Sequence, residues 1–208
     1  YSALSLVVVS IMMFLGADQI FNSFIGPKLL GVTHMLVLGW ICMVIFGALY
    51  QLIPVVMEVK IHSEKLAHFS FWTLGIGNIM LSLSFWVNYT SPKWLSIIGG
   101  SLVLLSIISF VINFIGTAKQ SHVKTIQNTY IVTSVFWLSV TVILGLLILL
   151  NGKFSFFMAS PIELLKAHAA LGLIGWFMML VMGVASILLP MFFIVHDLNK
   201  KYIKASYY

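Results

Sequence analysis

Arginine is absent from the 208 residues, and cysteine occurs once, at Cys42. A single cysteine excludes a disulfide framework within the chain and any cysteine metal cluster. Charge is scarce too: 8% of residues are charged, against about 25% in an ordinary soluble domain. A chain so poor in charge cannot cover a water-facing surface, so a soluble fold of this size is excluded. The sequence also lacks a phosphate-binding glycine loop, a nucleophile elbow and paired carboxylates. Its eleven methionines do not cluster as M-x-x-M, so they read as apolar filling rather than copper ligands.

What remains is apolar sequence, 61% hydrophobic with a mean hydropathy of +1.10. A helix crossing a bilayer takes roughly 20 apolar residues. Gly, Pro and Lys punctuate the chain into such runs at 3–25, 33–56, 66–88, 94–116, 126–150 and 163–195. The expected fold is all-α, an integral membrane bundle of about six transmembrane helices. Residues 1–208 are expected to form a single transmembrane domain with short loops and antiparallel neighbours. The first run is too long for a signal-peptide core, and Asp18, Gln19 and Asn22 interrupt it. The chain begins at Tyr1 rather than Met, so a few further residues are expected before it.

The formal charge of +6 comes from lysines against few acids. In a soluble protein it would suggest nucleic acid; here it reads as loop lysines, and no nucleic-acid partner is expected. Lys60, Lys65, Lys119, Lys124, Lys200, Lys201 and Lys204 fall on one side of the bundle. Lys28, Lys93, Lys153 and Lys166 fall on the other. The positive-inside bias then places both termini in the cytoplasm, in a multi-pass protein of the cell membrane.

Two of the runs share a pattern. His34 is followed by Gly39-Trp40, Gly47 and Leu52-Ile53-Pro54; His168 by Gly172, Gly175-Trp176, Gly183 and Leu188-Leu189-Pro190. Gly-Trp, Gly and Pro recur at one offset of 136 residues, but the histidines miss that register by two. Such residues also recur by chance in membrane helices, so both duplication and coincidence fit.

Polar groups inside lipid are costly, and each needs a reason. His62, His122 and His196 fall in or beside the cytoplasmic loops, and His68 lies just inside helix 3 at that end. His34 and His168 sit near the opposite face, each about one turn inside its expected helix. Two histidines at one depth on different helices are what bis-histidine heme ligation requires. Gly39 and Gly175, with the other glycines downstream, would let a flat macrocycle approach the backbone. Lys166 and Lys153 could pair with heme propionates, or stand solvated at the interface. The plainer readings also fit: a histidine bonded to a carbonyl or headgroup, and glycines that pack helices. His68 with His62 or His122 is the set that would hold a second heme, against the simpler reading of interfacial histidines. Asp18, Gln19, Asn78 and Asn113 fit hydrogen bonding between helices better than proton carriage, with Asp18 the costliest if buried.

Thr33-His34-Met-Leu-Val-Leu-Gly39-Trp40 through Gly47-Ala-Leu-Tyr50-Gln-Leu-Ile53-Pro54 resembles the heme-ligating helices of heme-copper oxidase subunit I. It is closest to the cbb-type branch and its small NnrS-like relatives. Lys166-Ala-His168 through Pro190 is a second copy in the same style, and His68-Phe-Ser-Phe-Trp72 is a fainter likeness. The resemblance implies that His34 and His168 are the axial ligands of one b-type heme near the outer face. The His-His pair that holds copper in the oxidases is missing, so neither copper nor oxygen reduction is implied. The expected function is a membrane-bound b-type cytochrome. It would be an electron-transfer subunit of a larger respiratory complex, inactive alone, passing electrons between a quinone and a redox partner outside the membrane. Two other classes remain open: a heme-based sensor or handler of nitric oxide or another gas, and a cofactor-free transporter or assembly scaffold.

Overall fold

A computed structural model describes residues 1–21, 25–87, 93–122, 125–194, 205 and 207. Among the described residues six helices are long and apolar enough to cross a membrane: α1 (Ser2–Phe21), α2 (Pro27–Met57), α3 (Glu64–Val87), α4 (Lys93–Ala118), α5 (Ile126–Phe154) and α6 (Pro161–Phe193). No strand occurs among the described residues. The protein is an all-α, multi-pass membrane protein.

The helix starts explain the main departure from expectation. Gly26-Pro27-Lys28 was expected to be a loop, but Pro27 opens α2, six residues before the expected start at 33. Proline lacks an N–H and its fixed φ already suits a helix, so the first position costs it nothing. Pro161 opens α6 in the same way, and the Glu163 carboxylate accepts the backbone N–H of Ser160 at 3.3 Å. At 1.5 Å per residue both helices exceed a hydrocarbon core of about 30 Å, so they tilt or extend past it.

Both of these helices change winding part-way. Residues Met35–Cys42 of α2 and Leu171–Met178 of α6 run as π-helix, with wide i→i+5 turns. These segments lie at the same 136-residue offset as the Gly-Trp and Pro pattern. So do the residues that end the two helices in the left-handed region, Glu58 (φ 55°) and Ile194 (φ 53°). Pro54 and Pro190 both fall in the last turn.

The chain divides into two compact units, residues 1–121 with 149–155, and residues 122–148 with 156–208. In the first, α3 and α4 touch backbone to backbone. A Cβ on Gly77 would stand 2.9 Å from the Gly99 carbonyl oxygen, which only glycine permits. Phe46 stacks on Phe110 with centroids 4.1 Å apart, and Val9, Met12, Ile20, Val32 and Met35 fill the space between α1 and α2. Fully buried Asn113 of α4 accepts the Ser63 N–H and donates to its carbonyl, at 2.9 and 2.8 Å. That pair, with the Thr117 hydroxyl accepting the His62 N–H at 3.0 Å, fastens the α2–α3 loop to α4. In the second unit α5 and α6 pack through Gly183, against Tyr130 and Ile131, and through Gly175, against the Trp137 ring.

A candidate heme-ligand pair of histidines

In the first unit, His34 closes the α-helical opening of α2, immediately before the wide turns begin. Its Nδ1 lies 2.8 Å from the Leu30 carbonyl oxygen, one turn back, and its ring lies against Phe85 of α3, centroids 5.2 Å apart. In the second unit, His168 points across to α5, with Nδ1 3.0 Å from the Thr141 carbonyl oxygen. A carbonyl can only accept, so Nδ1 carries the proton in both bonds. Each neutral ring then has its lone pair on Nε2. Such a bond satisfies a lone membrane histidine. It is also the arrangement that sets the tautomer and raises the basicity of a metal-bound imidazole. The donor chemistry of both residues therefore suits an axial heme ligand.

The register of the histidines is now intelligible. Seven positions separate Pro27 from His34, and seven separate Pro161 from His168. The wide turns follow directly after His34, whereas Ala169 and Ala170 intervene after His168. The two-residue slip is confined to that gap. Both histidines lie two turns inside their helices, one turn deeper than expected, because both helices begin at their prolines.

Gly39 is buried, and a Cβ there would stand 2.6 Å from the Asn78 side-chain amide and 2.9 Å from the Ser5 hydroxyl. A Cβ on Gly175 would stand 2.9 Å from Trp137. Protein packing thus accounts for both glycines, whereas the Cβ position of Gly47 faces open space. Lys166 is exposed, in the second turn of α6. The Lys153 side chain, His196 and the lysines at 124, 200, 201 and 204 lie outside what is described. His62, His68 and His122 are all exposed, the ring of His62 lying against Gly116 of α4. Asp18 lies on the exposed surface of α1, three residues from its end, rather than between packed helices. Among the described residues no three His, Cys, Asp or Glu side chains gather as a metal-holding group.

The chain is locally similar to subunits of bacterial respiratory oxidases. It is 42% identical over 60 residues to the cbb3-type cytochrome c oxidase subunit CcoN1 of Stutzerimonas stutzeri. It is 37% identical over 60 residues to the cytochrome c oxidase subunit 1 homolog, bacteroid, of Bradyrhizobium diazoefficiens. Each stretch covers 28% of this chain, but only 13% and 11% of the respective relatives. No protein-family model and no solved structure matches the chain. The oxidase likeness is real but local.

The wide turns were not anticipated. Their signal was the fixed spacing of Gly-Trp, Gly and Pro in the two helices, which runs in step with the shared backbone path.

Proposed function

We propose that this chain is a membrane-bound b-type cytochrome, with His34 and His168 each supplying an axial imidazole to heme iron. The observation that carries the reading is the pair of Nδ1–H bonds to backbone carbonyls, which put both lone pairs on Nε2. The local likeness to oxidase subunits supports it. Heme, when bound, would take up and release one electron at its iron. The protein would hold the imidazoles at a set orientation and exclude water from them. Lys166 would stand at the propionate level. We read residues 1–208 as one transmembrane domain, with both termini in the cytoplasm, within a complex whose other subunits exchange electrons with it and which passes them between a quinone and a redox partner outside the membrane.

The test is an oxidised and reduced optical spectrum of the purified chain, with heme quantified per chain. A low-spin, six-coordinate spectrum is expected, lost in both His34→Ala and His168→Ala and kept in His62→Ala. A five-coordinate heme in the parent protein would favour the gas-handling reading. A colourless protein would favour a transporter or scaffold.

A further inference from the structure

The wide turn that starts at His34 is bridged by a side chain from another helix. Asn78 of α3 is 0% exposed. Its carboxamide faces the His34 carbonyl oxygen and the Gly39 N–H. A carbonyl cannot donate and an N–H cannot accept, so one orientation of the amide satisfies both. Asn78 Nδ2 then donates to the His34 oxygen and to the Ser82 hydroxyl, both at 3.0 Å, and Oδ1 accepts the Gly39 N–H at 3.3 Å. His34 and Gly39 are five apart, the pair that closes a π turn. The amide therefore grips both ends of one wide turn.

Asn78 does not act alone on α3. Asn78, Ser82 and Phe85 are spaced i, i+4 and i+7, and so share one face. Ser82 fixes the amide, and Phe85 lies against the imidazole. One turn before His34, a Cβ on Gly31 would stand 2.9 Å from the Ser82 carbonyl oxygen, so the two backbones touch there. Met35–Cys42 has a counterpart in α6, where Gly175 packs on Trp137 rather than on an amide. The amide is thus not what makes a wide turn; it fastens this one to α3.

We propose that Asn78 is a positioning residue for His34. Its carboxamide ties the opening turn beneath the histidine to α3 and so holds the imidazole in one place. This rests on the heme reading above.

The test compares Asn78→Leu with Asn78→Asp in the full chain. Aspartate keeps the side-chain volume; leucine keeps the branched shape but is bulkier, so Asn78→Ala runs beside it to separate overpacking from bond loss. Leucine removes the bonds to His34 and Gly39, whereas an aspartate buried between the helices is protonated and still offers a donor and an acceptor. Hydrogen–deuterium exchange across residues 35–42 should accelerate about fivefold in Asn78→Leu and return toward the parent rate in Asn78→Asp. Residues 171–178 should be unchanged in both. Equal exchange in the parent and Asn78→Leu overturns the anchoring. In the same samples the g-values of the low-spin ferric heme should shift in Asn78→Leu and recover in Asn78→Asp. Unmoved g-values with faster exchange overturn the positioning role. A parent protein without heme overturns the reading beneath it, and the exchange comparison still decides whether Asn78 holds the turn. If Asn78→Leu does not accumulate, Asn78→Ala serves as the variant lacking both bonds.

Discussion

Gly145 and His168 meet where α5 and α6 pack: a Cβ at Gly145 would stand 2.8 Å from the imidazole Cε1. Gly145→Ala must push the ring aside or part the helices. Overpacking of this kind costs about 1–3 kcal/mol. The unfolding midpoint of the full chain in detergent, followed by denaturant titration, should fall accordingly. An unchanged midpoint would mean that the imidazole yields freely. On the heme reading the same variant should also perturb the low-spin spectrum.

The glycines of α2 separate packing from open surface. Gly39→Ala should destabilise the chain by about 1–3 kcal/mol, because Asn78 and Ser5 already fill the space. Gly47→Ala meets nothing within 4 Å and should be neutral or slightly stabilising, since alanine is the better helix former. Thermal melts of the two variants, side by side, check the contrast.

Asn113 holds the Ser63 N–H and carbonyl together. Asn113→Ala leaves both groups without that partner, a cost of about 1–3 kcal/mol each when buried. The α2–α3 loop should become the first site cut by limited proteolysis in the variant. Cleavage elsewhere first would show that other contacts hold the loop.

Glu58 ends α2 at φ 55°, a conformation that glycine adopts without strain. Glu58→Gly should therefore stabilise the chain, by up to about 1 kcal/mol. A lower melting temperature would show that the glutamate side chain contributes more than its backbone costs.

The six spans were legible because length and apolarity decide them. Each span was found, and the start of α3 falls within two residues of expectation. The start of α2 was misjudged because Gly26-Pro27 is a turn signal and a helix-opening signal alike; what distinguishes them is the packing of Gly31 and Val32 in the turns that follow. His34 and His168 stood out as polar groups in apolar runs. Their hydrogen-bond partners did not, because a backbone carbonyl such as that of Thr141 leaves no mark on residue identity. Asn78 was recognised as a group that bonds between helices, but its partners are the backbone of a turn whose width no local propensity announces.

The two alanines after His168 have a further meaning. Two residues added to an α-helix turn everything beyond them by about 200°. Yet beyond Ala169-Ala170 the wide turns, the proline and the left-handed end of α6 keep step with those of α2. The added length was thus taken up on the His168 side, so the imidazole leaves α6 from nearly the opposite flank, relative to its wide turn, from the one His34 uses on α2. If the helices descend from one ancestral segment, a change of two residues in either copy re-aimed its histidine while leaving the scaffold intact. Excising Ala169 and Ala170 would give His168 the register that His34 has on α2, a re-aiming experiment written into a single helix.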